Sequence, residues 1–279
     1  MALSAVPSPH DNRYIVAGDW HAHPAEAKHV IDLAVKEGID TIIHVGDFGF
    51  YDNMSYLKQV NEYLKRHNVR ILAIDGNHEE FPYLHSFDIE PVTGLRPVRS
   101  HIYHLPRNTR WEWDGVSFLA LGGAQSIDVR FREEGKSWWP EERITPEEAQ
   151  TAIEGGHANV MFTHDAPTSF PNQITSDQRG QREAMRYFGV QALADCRSHQ
   201  ELLASVTDVV QPYLLFHGHY HVTNAGWYRH DYDVLAYGIS LNQGLFDGNA
   251  HITSTTINKE LIETVENTRK EEKLVHEGQ

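Results

Sequence analysis

The sequence has a single cysteine, no long apolar run and few basic residues. Cys196 has no partner for an intramolecular disulfide, and any transition-metal site must therefore use imidazole and carboxylate ligands instead of thiolates. Nowhere do eighteen apolar residues run together, so we expect no membrane-spanning helix. The first nine residues lack the cationic and apolar segments of a signal peptide, and the expected location is the cytoplasm.

The shortage of basic residues gives the chain a strongly negative field. Lys and Arg total 24 against 39 Asp and Glu, for a formal net charge of −15. Such a charge opposes non-specific binding to duplex DNA and to an anionic membrane surface. A small phosphate ester can still bind where metal ions supply positive charge locally. Histidine is the abundant potential ligand, with 19 residues.

Short apolar runs alternate with helical periods along most of the chain. Strands predicted at 14–17, 41–45 and 69–74 enclose helices predicted at 24–37 and 54–67, which is the order of a parallel βαβαβ unit. Further elements are strands predicted at 102–105, 109–113, 116–121, 159–163 and 213–216, and a helix at 200–210. The pattern predicts an α/β fold with two β-layers flanked by helices.

We divide the chain into three parts. Residues 1–12, rich in Ser and Pro, are predicted to be a flexible leader. Residues 13–258 are predicted to form a single domain, because no Gly/Ser linker or repeat interrupts them. Residues 259–279 are charged and have one short apolar stripe, which favours a docked helix with a frayed end over a binding tail.

Polar blocks follow five of the predicted strands. They are Gly18-Asp19-Trp20-His21, Gly46-Asp47-Phe48-Gly49, Gly76-Asn77-His78-Glu79, Thr163-His164-Asp165 and His217-Gly218-His219-Tyr220-His221. On extended backbone residues i and i+2 point to one side, so Asp19 with His21, and His219 with His221, are expected to chelate. The candidate ligands in these blocks are two carboxylates, one carboxamide and four imidazoles, namely Asp19, Asp47, Asn77, His21, His164, His219 and His221. Seven such ligands are too many for one ion and predict two ions that share a carboxylate.

In this order the blocks resemble the signature of the calcineurin-like metallophosphoesterase family, D-x-H, G-D-x-x, G-N-H-[DE], H and G-H-x-H. The resemblance covers about residues 14 to 221. It implies a four-layer αββα sandwich of two mixed β-sheets flanked by helices. It also implies hydrolysis of phosphate esters by a hydroxide that bridges two metal ions, without a covalent intermediate.

The resemblance implies a role for each ligand. One metal would be held by Asp19, His21, Asp47 and His221, and the other by Asp47, Asn77, His164 and His219. His78 would be the catalytic imidazole that contacts the phosphoryl group or the leaving oxygen and binds no metal. Nitrogen and oxygen ligands suit Mn²⁺, which we favour, and equally Fe, Zn²⁺, Co²⁺ or Ni²⁺.

Two positions depart from the family's phosphoprotein phosphatases. Where their G-D-x-x-D-R-G motif has the Asp that orients the catalytic imidazole and the Arg that grips phosphate, this chain has Phe50 and Tyr51. We therefore expect a phosphodiesterase acting on small substrates such as cyclic nucleotides. The alternatives are a phosphomonoesterase or phosphoprotein phosphatase, and a catalytically silent interaction module with the same fold. Glu79 and Asp52 are the candidates for orienting His78, and the oligomeric state is left open.

Two further segments are candidates for contact with substrate. Residues 126–142 carry Arg130, Arg132 and Trp138, which could bind a phosphate and stack a base, although a solvated surface loop is equally compatible with the composition. Residues 172–187 carry three arginines and could cap the site, but a purely structural segment is favoured there.

Overall fold

The computed structural model of the chain describes residues 3–52, 55–168, 178–221, 223–229, 233–239 and 250–277. Two mixed sheets of six strands each lie at its centre. In spatial order the first sheet consists of β12 (Ala250–Ser254), β1 (Arg13–Ala17), β2 (Thr41–Val45), β3 (Arg70–Ile74), β5 (Ile102–His104) and β4 (Arg96–Arg99). Strands β1, β2, β3 and β5 are parallel, and the two edge strands are antiparallel to their neighbours.

The second sheet repeats this plan with a parallel centre and antiparallel edges. In spatial order it consists of β10 (Asn224–Arg229), β11 (Asp233–Gly238), β9 (Leu214–His217), β8 (Val160–Thr163), β7 (Val116–Leu121) and β6 (Arg110–Trp113). Strands β11, β9, β8 and β7 are parallel. The β6–β7 hairpin turns at Asp114 and Gly115, both with positive φ, as the sequence predicts.

Helices cover the outer faces of both sheets, and the last helix contacts the apolar cluster between the sheets. Their bounds are α1 Pro24–Glu37, α2 Ser55–His67, α3 Phe81–His85, α4 Pro146–Glu154, α5 Gln178–Phe188, α6 Val190–Val210 and α7 Thr255–Glu277. Helix α1 has the predicted bounds because Pro24 starts it and Gly38, at φ 68°, ends it. The helix predicted at 200–210 begins ten residues earlier than expected, at Val190. Among the described helices, none combines the length and the apolar character needed to cross a bilayer.

Three apolar clusters alternate with the layers. Tyr14 and Val16 point toward the second sheet, whereas Ile15 and Ala17 point toward α1 and α2, because side chains alternate along a strand. A third cluster joins the outer face of the second sheet to α4 and α6, through residues such as Leu119 and Leu203. The fold is the four-layer αββα sandwich that the sequence predicts.

The two ends of the chain also contact the sandwich. Trp113 Nε1 donates a hydrogen bond to the Val6 carbonyl at 3.0 Å, and Arg70 Nη2 donates to the Pro7 and Ser8 carbonyls. In α7, Ile262 belongs to the cluster between the sheets. The division into leader, domain and tail stays a prediction.

Candidate metal centre

The carboxyl ends of β1, β2 and β3 in one sheet meet those of β8 and β9 in the other. The five polar blocks follow these strands, so the topology brings their side chains to one place. Seven predicted ligands lie there: Asp19, His21, Asp47, Asn77, His164, His219 and His221. The predicted catalytic residue His78 lies beside them.

Asp47 occupies the middle of this group. Its Oδ2 atom lies 3.6 Å from His21 Nε2 and 3.3 Å from His164 Nε2, and its side chain is almost fully buried. Its Oδ1 atom accepts a hydrogen bond of 2.8 Å from the backbone N–H of His78. A carboxylate close to two imidazoles is placed where one group can serve two ions.

The other ligands lie in two sets around Asp47. One set is Asp19, His21 and His221, whose ligand atoms lie within 4.8 Å of one another, with the Nε2 atoms of the two histidines 3.0 Å apart. In the other set, His164 Nε2 lies 3.1 Å from Asn77 Oδ1, and the rings of His164 and His219 are 5.2 Å apart. Asp19 also offers a ligand atom within 4.8 Å of those of Asp47 and His164. His219 and His221 therefore belong to different sets.

The prediction that residues i and i+2 of the chelating pairs lie on extended backbone is wrong. Five of the seven predicted ligands have left-handed backbone, with φ between 45° and 69°, namely Asp19, His21, Asp47, His219 and His221. Such conformations are unfavourable for side chains other than glycine and cluster at functional sites. Asp19 and His21 do offer ligand atoms close to one another, but tight turns bring the two residues together and extended strand does not.

The donor set fits metal ions. Asp19 Oδ2 is buried and has no hydrogen-bond partner among the described residues, although a buried carboxylate oxygen needs one. Burial raises the pKa of Asp19 to about 7, with His164 opposing the shift and Asp47 reinforcing it. Two buried carboxylates beside converging imidazole nitrogens form a site that a divalent cation would stabilise.

Two glycines permit this close packing. A Cβ at Gly76 would lie 2.1 Å from Asp47 Oδ1, and one at Gly46 would lie 2.3 Å from His164 Nδ1. Gly46 also has φ 94°, which other residues rarely adopt. The glycines of the G-D and G-N-H blocks are therefore required by the side chains that pack against them.

His78 is contacted by a residue from a distant loop, residues 122–145 between β7 and α4, which we name the β7 loop. Arg132 Nη2 lies 2.7 Å from His78 Nε2 and 3.1 Å from Nδ1, and Arg132 Nε pairs with Asp128 at 2.9 Å. Burial lowers the pKa of His78, with Arg132 reinforcing the shift and Asp47 opposing it. The ring nitrogens therefore face a guanidinium.

Neither residue proposed from the sequence to orient His78 contacts its ring in the described structure. The Glu79 carboxylate instead accepts backbone hydrogen bonds from Phe48, Gly49 and Phe50 at 2.6–3.0 Å. These residues belong to the β2 loop, residues 46–52. The backbone N–H of Asp52 donates to Glu80.

A second polar chain reaches the centre from the β7 loop. Asn77 Nδ2 donates to Ser126 Oγ at 2.9 Å, and Ser126 Oγ donates to Glu142 Oε2 at 2.7 Å. This chain fixes the amide of Asn77 so that its oxygen faces His164. Sequence reasoning missed Ser126 and Glu142, because no motif or period marks them.

The centre forms the floor of a cavity of about 800 Å³. Of the predicted substrate-binding residues, Arg132 reaches this floor through His78, whereas Arg130 and Trp138 are not among the described residues that line the cavity. Arg130 donates to the Tyr187 carbonyl and so joins the β7 loop to α5. Of the predicted cap at 172–187, residues 172–177 and the side chain of Arg179 lie outside the described residues, and Gln181 and Met185 line the cavity.

Comparisons with known proteins found a family profile and similar solved structures. The sequence profile of the calcineurin-like phosphoesterase family matches residues 13–223. The chain is similar to a dimetal phosphatase from Danio rerio, with 13% identity, a TM-score of 0.51 and coverage of 82% of this chain and 87% of that one. It is also similar to a protein from Thermus thermophilus, with 11% identity, a TM-score of 0.49 and coverage of 82% and 89%. None of the curated proteins compared with the chain matched it.

The αββα sandwich and its polar sheet edge define a phosphoesterase of the metal-dependent kind. The family profile covers well over half of the chain, and the protein therefore belongs to the calcineurin-like phosphoesterase family. It is a hydrolase that acts on phosphoesters.

Proposed function

We propose that the protein hydrolyses small phosphodiesters, with cyclic nucleotides as first candidates, at a centre of two divalent metal ions. The observation that carries the proposal is the convergence of two ligand sets on one buried carboxylate, Asp47, at the floor of the cavity. A cytoplasmic location accompanies this proposal.

Each ligand set holds one ion in this proposal. The first ion is held by Asp19, His21, Asp47 and His221, and the second by Asp47, Asn77, His164 and His219. When bound, the ions supply Lewis acidity to the phosphoryl oxygens and to the attacking water. The neutral oxygen of Asn77 limits the negative charge of the second set. Mn²⁺ is the first candidate, and Fe, Zn²⁺, Co²⁺ and Ni²⁺ suit the same ligands.

His78 acts on the substrate and binds no ion. The Arg132 guanidinium lies within 3.1 Å of both ring nitrogens, and its charge would repel a metal ion placed at either nitrogen. With Arg132 it forms a pair of donors that can hold a phosphoryl oxygen or the departing oxygen. Arg132 thus takes the place of the arginine that is absent at position 51.

The ion pair between Arg132 and Asp128 favours a phosphodiester substrate over a phosphomonoester. Because Asp128 neutralises one side of the guanidinium, the site presents less positive charge than a free arginine would. A phosphodiester carries one negative charge, whereas a monoester carries nearly two at pH 7. Hydrolysis of monoesters is the second candidate, because Arg132 does place a guanidinium beside His78.

A hydrolysis screen of the Mn²⁺-loaded protein tests the proposal. It compares p-nitrophenyl phosphate, bis-p-nitrophenyl phosphate, 2′,3′- and 3′,5′-cyclic nucleotides, and single-stranded DNA. We expect kcat/KM for diesters to equal or exceed that for monoesters. A strong preference for monoesters would favour the second candidate. No hydrolysis either with Mn²⁺ or after the screen is repeated with Fe, Zn²⁺, Co²⁺ and Ni²⁺ would indicate a silent interaction module.

Replacement of His78 separates its role from metal binding. We expect His78→Ala to keep near-normal metal content and to lose activity, by about 10²–10⁴-fold if the ring protonates the leaving group. A ribose alkoxide needs that proton and a nitrophenolate does not, so the loss should be larger on a cyclic nucleotide. Equal losses would assign His78 to the phosphoryl oxygens alone, and loss of metal would make it a ligand.

A further inference from the structure

The cavity above the metal centre has two chemically different surfaces. Its floor carries the imidazoles and carboxylates of the centre. Its wall comes from α5, the start of α6 and the β7 loop, and includes the apolar side chains of Ile127, Met185, Phe188 and Leu193. A wholly polar substrate such as a sugar phosphate would leave this wall in contact with water, so the wall indicates an apolar group on the substrate.

One aromatic ring and two amides mark this wall. The Phe188 ring lines the cavity and lies 4.8 Å from Tyr187 and 6.3 Å from Phe131, measured between centroids, although neither of these two is among the cavity-lining residues. Met185 adds a thioether, which contacts aromatic rings favourably. Gln181 and Gln200 line the same cavity, and the largely buried Gln200 uses its Nε2 to donate to the Tyr220 hydroxyl. An alkyl chain offers amides no hydrogen bonds, whereas a heteroaromatic ring has apolar faces and a polar edge.

We propose that this wall is the binding subsite for the organic group of the substrate, and that this group is an aromatic ring system of nucleobase size. The inference rests on the proposed phosphodiesterase function. The subsite places the aromatic ring of the substrate against α5 and α6. The sequence suggested instead that a base stacks on Trp138 of the β7 loop. Arg130 joins the β7 loop to α5 and so holds the wall together.

The test varies the group that stays on phosphate and keeps the leaving group constant. The Mn²⁺-loaded full chain is given four p-nitrophenyl phosphodiesters, whose second ester group is methyl, phenyl, 5′-thymidyl or octyl. Since burial of an aromatic group contributes about as much as burial of a Phe side chain, we expect kcat/KM for the phenyl and thymidyl esters to exceed that for the methyl ester about 10- to 100-fold.

One variant in α6 and one at the end of α5 locate the effect. Leu193→Gln should lower the thymidyl-to-methyl ratio about tenfold, and Phe188→Ala should do the same. Val209→Ser is the matched control, because Val209 is an exposed apolar residue of the same helix that is not among the cavity-lining residues. A ratio near one in the wild type, or no change in Leu193→Gln, would overturn the proposal. An octyl ester better than the thymidyl ester would assign the wall to alkyl chains instead.

A result against the proposed subsite can be distinguished from a result against the proposed phosphodiesterase function. If none of the four esters is hydrolysed, the proposed function is contradicted, and the subsite is then measured by calorimetry. Thymidine 5′-monophosphate should bind the Mn²⁺-loaded protein about tenfold more tightly than methyl phosphate, and Leu193→Gln should remove the difference. Equal binding of the two phosphates would overturn the subsite.

Discussion

The β2 loop and the β7 loop both reach His78, but they hold different parts of it. The β2 loop contacts its main chain, because Tyr51 donates a hydrogen bond to the His78 carbonyl at 2.6 Å and Asp47 accepts one from the His78 N–H. The β7 loop contacts its ring through Arg132. The β2 loop therefore fixes the position of the His78 main chain, and the β7 loop supplies the group that the His78 imidazole faces.

A buried glutamate supports each loop in a different way. The Glu79 carboxylate accepts hydrogen bonds from three backbone N–H groups of the β2 loop. These bonds hold the loop without involving its side chains. Glu142 grips the β7 loop through the N–H and the hydroxyl of Ser126, which in turn holds Asn77. The β2 loop is thus a frame for one ligand, whereas the β7 loop supplies side chains to the centre.

The largest expected loss of activity and metal content follows from a change in the β2 loop at Asp47, which both proposed ligand sets share. Asp47→Ala should abolish activity and lower metal content from about two ions per chain toward none, because each ion loses a ligand. Asn77→Ala should weaken mainly one ion, and Asp52→Ala, an exposed change in the same loop, should weaken neither. Elemental analysis measures the content, and a wild type that saturates at one ion would contradict the two-ion centre.

The next largest loss of activity is expected from a change in the β7 loop. Arg132→Ala should lower kcat by about 10²–10³-fold with metal content retained, because a preorganised donor beside His78 is lost. Arg143→Ala is the control, since Arg143 is an exposed arginine of the same loop. Steady-state kinetics on a diester measures the loss. Equal, small effects of both substitutions would show that the β7 loop does not serve the ring.

A smaller effect should follow from the polar chain behind Asn77. Ser126→Ala should weaken one of the two ions about 10- to 100-fold, because the amide of Asn77 loses the contact that orients it. Ser137→Ala, in the exposed part of the same loop, is the control. Calorimetric titration with Mn²⁺ resolves the two binding steps. Loss at both steps alike would indicate a general disturbance of the loop.

The smallest effect concerns stability and not chemistry. Burial raises the pKa of Glu142 to about 7, with hydrogen bonds from Ser126 opposing the shift. The folded state holds this proton more tightly than the unfolded chain, in which glutamate titrates near 4.3. Its stabilising contribution is therefore present below about pH 4.3 and is lost as the pH rises through 7.

Denaturation of the metal-free protein in urea at pH 5 and pH 8 measures this contribution. The free energy of unfolding should fall by ~1–3 kcal/mol more in the wild type than in Glu142→Gln. Parallel changes in the two proteins would show that Glu142 does not titrate in this range.

Sequence reasoning placed Asp47 of the β2 loop at the centre but did not predict that the β7 loop contacts His78, for a physical reason. Asp47 follows a strand of five buried residues and sits in a motif block, so the topology alone places it at the sheet edge. Arg132 lies in a loop of 24 residues without periodicity, and nothing local says that it folds back onto His78. Its residue type and loop suggested contact with substrate, but its partner could be identified only in three dimensions.

The strand and helix pattern was the most predictable part of the fold. Alternation along β1 and the Pro24 and Gly38 boundaries of α1 are local signals, and both are confirmed. Strand β4 was missed because Arg96–Arg99 is short, lies at a sheet edge and contains a proline. The turns at Asp19 and His219 were assumed to be extended, because no residue at these positions marks a left-handed backbone.

These turns have an evolutionary consequence. At Asp19, His21, Asp47, His219 and His221 the backbone adopts a conformation in which glycine would be the more stable residue. Selection for folding alone would therefore let these five positions drift toward glycine, while Asn77 and His164 would drift without that bias. A descendant that kept the sandwich only to bind partners would be recognisable from its sequence, by glycines where the D-x-H and G-H-x-H blocks now carry acids and imidazoles.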